Sequence, residues 1–442
     1  MGVGVKKGLS LSGSMDEGLG GGVNENDSTV DHEAINEVAE REQMYEKMWR
    51  SAPAPRDRGT NFIRRAQQPL YYGDYLQLDK LLDAQSPVSL KAGDPSHDEL
   101  LFITVHQTYE LWFKQIIHEL DSVRHIFAEL TIGAKKIGAA LHRLLRIHEI
   151  QKILSDQIRV LETLTPQEFL DFRDYLFPAS GFQSFQFRLI EIKLGVKRTD
   201  GQNMKYLQCL NEKHRKMIEA ALAEPSLFEL VERWLRNIPF PNFRGYQFTT
   251  AYEEAVNRMF DLDMKVIHTQ LDGVEKENAI EELKKTKRTF ESVYDRSVHD
   301  EMKKLGLRRM GFRATCSALL IMLYQDEPML QLPGRLLRVL VDIDDQLNQW
   351  RYRHSQMVHR MIGAKMGTGG SLGFSYLKST VDNCKVFSDI ANMSTLLIPR
   401  RLLPNLPSEI RDQLKYYYNV EQFDRTFFEM GSGGDSIDWS FC

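Results

Sequence analysis

The chain has 442 residues and is 42% apolar, enough for a sizeable core in two or three domains or in one domain with insertions. Its net charge of −4 and pI near 6.3 argue against a general affinity for nucleic acid or an anionic membrane. Four scattered cysteines form no C-x-x-C pair, which argues against a thiolate zinc site and a disulfide framework. With no apolar run of membrane-spanning length and no signal pattern, we expect a soluble cytoplasmic protein.

Composition divides the chain into three parts. Eight of the first 22 residues are glycine, and a polar stretch follows, so residues 1–60 are predicted to be a disordered leader. Residues 61–405 are predicted to form one helical domain, and about 205–285 within it a smaller helical insertion beside the main bundle. Residues 406–442 are predicted to be a C-terminal tail, of which the last twelve residues, GSGGDSIDWSFC, are predicted to be loose.

Between the two ends, apolar residues recur three and four positions apart almost throughout, and alternating runs are nearly absent. This periodicity predicts an all-α, multi-helix bundle. Two helix starts carry the capping-box pattern, S-H-D-E at residues 96–99 and T-P-Q-E at residues 165–168. The predicted helical segments are 97–129, 137–163, 166–176, 206–236, 249–290, 310–325, 334–363 and 373–393.

The first long helix places an ionisable ring in its apolar stripe. Phe102, His106, Tyr109 and Phe113 fall at i, i+4, i+7 and i+11, on one helical face. His106 is either a core histidine with one ring nitrogen hydrogen-bonded, or a polar group in the wall of an apolar ligand pocket. Tyr109 to Phe113 are interpreted as ordinary helix packing. Glu110 is predicted to pair with a lysine four residues later on the exposed face.

A second histidine lies in the stretch NQWRYRHSQMVHRMIG. The buried stripe of this helix passes through Leu347 and Trp350, and His354 continues it. His359 lies about 140° further round the helix and is predicted to point away. A single histidine on an apolar helix face suits an axial heme ligand, because iron needs one fixed imidazole in a dry slot. The alternative is a histidine that only packs.

A short helix follows the second capping box. Phe169 and Arg173 are one turn apart on it. Arg173 either pairs with a neighbouring aspartate at the surface or turns inward beside Phe169, where its guanidinium could bind a carboxylate through two hydrogen bonds. The loop P-A-S-G that comes next offers free backbone N–H groups and the Ser180 hydroxyl.

Three further stretches have weaker signals. The loop GTGGSLG lacks the Walker lysine and follows a helix, so it is predicted to be a flexible connection or a loop that closes over a small polar ligand. The stretch YYGDYLQLDKLL is typical of a packed turn that opens a helix. His97 and Glu99 could supply half of a non-heme iron site, although the capping box already uses these residues.

Several long segments together resemble one family. They are YGDYLQLDKLLDAQ, HDELLFITVHQTYELWFKQIIHELDSVR, DFRDYLFPASGFQSFQFR, WRYRHSQMVHRMIGAKMGTGG and YLKSTV, which occur in the family's order and, with weaker matches, cover residues 65–405. The family is tryptophan 2,3-dioxygenase. The resemblance implies a heme b enzyme that inserts O₂ across the C2–C3 bond of the indole of L-tryptophan and gives N-formyl-L-kynurenine, the first step of the kynurenine pathway.

The resemblance also implies residue roles. His354 corresponds to the axial ligand of the heme iron, and Ser180 and Gly181 to residues at the distal heme edge. His106 corresponds to the catalytic histidine that meets the indole N–H. The substrate-binding residues implied in addition to His106 are Phe102, Phe169, Arg173, Thr368, Tyr72 and Tyr75.

In the family, Tyr72 and Tyr75 correspond to residues that reach the neighbouring subunit's site. The resemblance therefore implies a homotetramer in which the N-terminal residues of one subunit complete the pocket of another. Leu372 stands where a small polar residue is more usual. This departure raises the expectation that closure of the glycine-rich loop differs.

Overall fold

The structure, a computed structural model, describes residues 71–197, 206–243, 245–367, 374, 377–378, 380–381 and 384–415. The chain divides into two compact units, residues 1–81 and 82–442. The described part of the first unit holds a short helix, α1 (Tyr72–Leu76), and most of a second, α2 (Leu78–Leu82), whose last residue belongs to the second unit. The predicted leader lies outside the described residues, as does the predicted tail from residue 416 onward.

The second unit is helical almost throughout its described residues, which confirms the all-α prediction. Its helices in chain order are α3 (Val88–Lys91), α4 (Glu99–Ala128), α5 (Ala134–Leu161), α6 (Pro166–Arg173), α7 (Phe185–Leu194), α8 (Glu212–Ala223), α9 (Leu227–Arg236), α10 (Phe248–Gln270), α11 (Gly273–Glu291), α12 (Arg296–Lys304), α13 (Phe312–Leu323), α14 (Pro328–Ile362), α15 (Ser388–Ala391) and α16 (Ser408–Leu414). Within the described residues, no helix has the length and apolar content that crossing a bilayer requires.

Single-turn 3₁₀ helices connect several of these elements; they are Asp174–Leu176, Gly181–Gln183, Tyr206–Cys209, Asn392–Leu396 and Arg400–Leu402. The periodicity does not predict α7, because Arg188 and Glu191 are buried in this short helix and interrupt its apolar pattern. The helix predicted over 373–393 falls partly outside the described residues. Within that range α15 covers only one turn.

Three long helices, α4, α5 and α14, form the centre of the second unit, and α5 packs along both of the others. Each has apolar residues three and four positions apart, so one side of the helix is apolar. Leu120, Leu144 and Leu340, one from each helix, are completely buried. Burying each leucine contributes roughly 1.5–3 kcal/mol, so these contacts fix the three helices relative to one another. The side chains on the remaining faces of α4 and α14 therefore start from a rigid frame.

Of the two predicted capping boxes, one is confirmed and one is wrong. At α6, the Thr165 hydroxyl accepts from the backbone N–H of Glu168, whose carboxylate accepts from the backbone N–H of Thr165. At α4 no side-chain cap forms. The Glu99 carboxylate instead accepts from the backbone N–H groups of Val88 and Ser89 at 2.7 and 2.9 Å. The start of α3 leaves these two donors without a helical partner, and the buried carboxylate satisfies both.

The segment predicted as an insertion contains helices and one very short hairpin. Strands β1 (Asn242–Phe243) and β2 (Tyr246–Gln247) pair antiparallel. Two residues in each strand are too few to give an alternating pattern, so the sequence does not predict them. Leu227 of α9 and Tyr252 of α10 are completely buried in the main core, where the Tyr252 hydroxyl donates to the carbonyl of Leu396 at 2.6 Å. These two helices therefore share the core of the central bundle.

Candidate functional site

A cavity of about 320 Å³ is lined by side chains of α4, α5, α6, α7 and α14. Most of its wall is apolar, and the few ionisable side chains come from separate elements. This composition is typical of a site for a largely apolar ligand with a small number of polar anchoring points. The helical stripes predicted around His106 and His354 both face this cavity, so the structure brings together two histidines that lie 248 positions apart in the sequence.

His354 extends from α14 into the cavity. Its imidazole stacks on the indole of Trp350, one turn earlier, with 5.0 Å between ring centroids and 10° between ring planes. Burial, together with the charges of His106 and Arg351, lowers the pKa of His354 to about 4. The imidazole is therefore neutral at pH 7 and its lone pair is free to bind a metal. His359 is exposed, contacts Phe374 and does not line the cavity, which confirms the prediction that it points away.

Another part of the cavity wall carries Phe102 and His106 on α4. Their rings lie 4.1 Å apart, and Nδ1 of His106 hydrogen-bonds the backbone carbonyl of Phe102 at 2.7 Å. A carbonyl oxygen only accepts, so Nδ1 carries the proton and Nε2 keeps its lone pair. His106 is exposed to the cavity, but the surrounding protein groups desolvate its ring and lower its pKa, although the Phe102 carbonyl and the charge of Glu110 act in the opposite direction. Both interpretations of this histidine therefore hold in part: one nitrogen is bonded to backbone, and the ring lines a cavity.

Helix α6 contributes Phe169 and Arg173. The Phe169 ring lies 5.7 Å from that of Phe102. Arg173 turns inward to the cavity rather than pairing with an aspartate, and its guanidinium donates to the backbone carbonyl of Met366. Its buried Nε has no hydrogen-bond partner among the described residues. A partly exposed guanidinium at a cavity wall, with one buried nitrogen unpaired among the described residues, fits an anionic group.

One edge of the cavity is formed by the 3₁₀ turn Gly181–Gln183. Ser180 begins this turn, and its hydroxyl accepts from the backbone N–H of Phe182 at 3.3 Å. Ser180 and Gly181 both line the cavity, as does Gly367 at the start of the glycine-rich loop. Thr368 and Leu372 lie outside the described residues.

Two residues interpreted as ordinary packing also line the cavity. Tyr109 donates from its hydroxyl to the carbonyl of Leu154 at 2.5 Å, and Phe113 lies beside it. Their helical spacing from His106 already placed them on the same face, and only the neighbouring helices decided how far along α4 the cavity extends. Trp350, which sits four residues before His354, is likewise part of the wall.

The predicted pair between Glu110 and a lysine is wrong. Glu110 lines the cavity, and its carboxylate accepts from the Ser184 hydroxyl at 2.6 Å and from the Gln186 side-chain amide at 2.8 Å. Ser184 begins α7, and its hydroxyl also accepts from the backbone N–H of Phe187. Glu110 therefore ties α4 to the start of α7.

Helix α7 brings a buried ionic cluster to the same cavity. The Glu191 carboxylate accepts from Arg188 at 2.8 Å and from Arg351 of α14 at 2.7 Å, and each of these side chains is at most 8% exposed. Both arginines also line the cavity and lie over the ring of Phe187. The spacing of Arg188 and Glu191 in the sequence is an ordinary i,i+3 pair, so only the structure shows that they are buried against α14.

The alternative of a non-heme iron site at His97 and Glu99 does not fit. The Glu99 carboxylate is completely buried and already binds two backbone N–H groups. Among the described residues, no cluster of three or more histidine, cysteine or acidic side chains could hold a metal ion. A single axial imidazole in an apolar cavity requires no such cluster, because a porphyrin supplies the other four iron ligands. The donor set of the cavity therefore fits a heme.

Comparison with known proteins decides the family. A family model described as tryptophan 2,3-dioxygenase matches residues 57–397, which include every cavity-lining residue named above. The chain belongs to the tryptophan 2,3-dioxygenase family. The tryptophan 2,3-dioxygenase of Dictyostelium discoideum is 45% identical over 361 residues, which cover 80% of this chain and 90% of that protein. That of Alteromonas mediterranea is 44% identical over 360 residues, covering 80% and 99%.

An animal tryptophan 2,3-dioxygenase, from Xenopus tropicalis, is 44% identical over 364 residues, covering 81% of this chain and 89% of that protein. Amoeba, bacterium and frog thus match this chain to nearly the same degree. The family match begins close to the predicted start of the helical domain at residue 61, and the Gly-rich stretch before residue 57 lies outside it.

Proposed function

We propose that this chain is a heme-dependent dioxygenase that inserts both atoms of O₂ across the C2–C3 bond of the indole of L-tryptophan and gives N-formyl-L-kynurenine. This is the first step of tryptophan catabolism by the kynurenine pathway. The observation that carries the proposal is the pair of histidines on α4 and α14 that face one apolar cavity, in a chain of the tryptophan 2,3-dioxygenase family. Heme b would supply the iron that binds and activates O₂.

His354 would hold the iron. Its low pKa keeps the imidazole neutral, and its stacking on Trp350 holds the ring in one plane. Ser180 and Gly181 would border the heme at the cavity edge formed by the 3₁₀ turn Gly181–Gln183, which a capping box between Ser180 and Gln183 fixes. With His354 as its protein ligand, a bound heme would supply an iron centre able to take up O₂.

The substrate would lie between α4 and α6. Phe102 and Phe169 present two aromatic rings 5.7 Å apart for the indole, and Arg173 would bind the carboxylate with its guanidinium. In the structure the Arg173 guanidinium donates to the Met366 carbonyl. A substrate carboxylate that replaced this carbonyl would bring a full negative charge and two acceptor atoms. Thr368 would hold the ammonium group. This division of the cavity into an apolar and an ionic part matches the two ends of an amino acid with an aromatic side chain.

His106 would orient the indole. Its Nε2 keeps a lone pair, because Nδ1 is bonded to the Phe102 carbonyl, and can accept the hydrogen of the indole N–H. A neutral imidazole in this state positions the ring without removing a proton. We therefore propose a positioning hydrogen bond as its main contribution to the reaction.

The proposal also covers the oligomeric state of the protein and the boundaries of its domains. We propose a homotetramer in which Tyr72 and Tyr75 of one subunit reach the site of its neighbour; both side chains are 70% exposed in the single chain. Residues 61–405 are proposed as the catalytic domain, with 205–285 as a helical insertion that shares its core. Helix α16 lies in the range 406–442 predicted as the tail, and its Ile410 and Leu414 are buried in that same core. A cytoplasmic location stays a prediction.

Heme binding and substrate response test the function directly. Purified protein reconstituted with heme is expected to show a Soret band, which shifts when L-tryptophan is added under reducing conditions, and then to release N-formyl-L-kynurenine in the presence of O₂. A protein with no Soret band would be a helical scaffold, and bound iron without porphyrin would indicate a non-heme oxygenase. Either outcome contradicts the proposal.

A further inference from the structure

Within the described residues, the protein contact that orients the His354 ring is a stacking contact. A metal-binding histidine almost always donates its second ring N–H to a carboxylate, a carbonyl or water, and this bond sets the ring orientation. Among the described residues, none forms a hydrogen bond with the His354 ring. Its one aromatic partner in the described part of the chain is Trp350, at 5.0 Å and nearly parallel. A flat indole against the imidazole face limits rotation of the imidazole about its Cβ–Cγ bond.

Trp350 is itself held by two other helices. Its indole N–H donates to the Tyr109 hydroxyl over a long 3.4 Å, and that hydroxyl donates to the Leu154 carbonyl at 2.5 Å. The Phe187 ring lies 5.2 Å from Trp350 on another side. Burial raises the pKa of Tyr109 to about 12, so its hydroxyl keeps the proton that it donates to the Leu154 carbonyl at neutral pH.

We infer that Trp350 and Tyr109 act as a positioning pair for His354. Trp350, held by Tyr109, fixes the plane of the axial imidazole by stacking on it. The inference rests on the proposed function, because it takes His354 as the iron ligand. Tyr109 lies three residues after His106 on α4, and Leu154 lies on α5. Trp350 and Tyr109 therefore connect the imidazole of His354 on α14 to α4, the helix that carries His106.

The orientation of an axial imidazole affects both the strength of the iron–nitrogen bond and the anisotropy of the ferric iron. The test uses heme-loaded full-length protein with Trp350→Phe, which removes the N–H and narrows the stacking plane, and Tyr109→Phe, which removes one oxygen atom. Resonance Raman spectroscopy of the ferrous protein measures the iron–histidine stretching band. Electron paramagnetic resonance of the ferric cyanide adduct measures the anisotropy.

The matched control is Tyr252→Phe. It removes a buried tyrosine hydroxyl that also donates to a backbone carbonyl, at 2.6 Å, but does not line the cavity. We expect both spectra to shift and broaden in Trp350→Phe and Tyr109→Phe and to match the parent in Tyr252→Phe. Unchanged spectra in either heme-bound cavity variant overturn the inference. If Trp350→Phe does not fold, Tyr109→Phe alone decides.

His354→Ala separates this inference from the proposed function. If His354→Ala keeps the parental iron–histidine band, the assignment of the iron ligand is wrong and the positioning role falls with it. If His354→Ala loses the band while Trp350→Phe and Tyr109→Phe keep it unchanged, the iron ligand stands and only the positioning role is wrong.

Discussion

Nδ1 of His106 donates to the backbone carbonyl of Phe102 at 2.7 Å, one helical turn earlier on α4. This bond fixes the ring tautomer, so the nitrogen that faces a ligand is an acceptor. The same turn of helix thus supplies an aromatic surface and, beside it, a single hydrogen-bond acceptor. An indole presents the matching pair, a flat ring with one N–H donor.

Replacing His106 tests this role. A hydrogen bond that orients a ligand contributes about 0.5–1.5 kcal/mol, so His106→Ala should lower kcat/KM for tryptophan by roughly 2- to 13-fold and retain heme. Steady-state kinetics measure kcat/KM, and the Soret absorbance measures heme content. A loss of activity as complete as in His354→Ala would instead indicate that His106 transfers a proton.

The pH profile gives a second test of His106. Desolvation by the surrounding protein groups lowers its pKa below the usual 6.5, so the acceptor form dominates at pH 7 and the imidazole is protonated only as the pH falls through the lowered pKa. We expect kcat/KM for tryptophan to be constant through neutral pH and to decrease on the acid side of 6.5. His106→Ala should lack this acid-side decrease. If that variant and the parent have the same acid profile, another group causes the decrease.

Arg173 should determine how tightly the amino-acid end binds. Truncating one partner of a buried charge pair costs about 2–5 kcal/mol, so Arg173→Leu should raise KM for tryptophan by at least about 30-fold. Arg173→Lys keeps the charge but cannot donate two parallel hydrogen bonds, so its KM for tryptophan should lie between those of the parent and Arg173→Leu. Heme content should be unchanged in both variants. If Arg173→Leu has the same KM for tryptophan as the parent, Arg173 does not bind the substrate.

The two histidines of α14 form a natural matched pair. His354 faces the cavity and His359 is exposed, although only five residues separate them. His354→Ala is expected to abolish heme retention or the five-coordinate ferrous spectrum, whereas His359→Ala should keep both. The reverse pattern would assign the iron to the other histidine and contradict the orientation of α14.

The stability of the fold should depend on the charge of Glu191 in its buried ionic cluster with Arg188 and Arg351. Removing its charge leaves Arg188 and Arg351 buried without their shared counter-ion, which should reduce the free energy of unfolding by about 3–5 kcal/mol in Glu191→Gln. Chemical denaturation measures the change. The control is Glu149→Gln, whose partner Lys152 is exposed, and it should unfold like the parent. Equal stability of the two variants would show that the cluster contributes nothing.

Local rules determined much of this protein from its sequence. The 3.6-residue period identified α4 and α14, placed Phe102 one turn before His106, and separated His354 from His359. The T-P-Q-E capping box fixed the start of α6 to the residue. Each of these features depends on residues within a few positions of one another, and helix geometry converts such spacing directly into a shared face.

Tertiary packing decided the rest. Glu99 and Glu110 follow helix-surface patterns in the sequence, yet each is used by a distant segment: Glu99 by the start of α3, and Glu110 by Ser184. The stacking of Trp350 on His354 follows from helical spacing, but its link to Tyr109, 241 positions earlier, does not. A buried polar group binds whichever donor or acceptor the folded chain brings to it. The partner of such a group depends on how α4, α5 and α14 pack against their neighbours, and a local sequence pattern does not predict it.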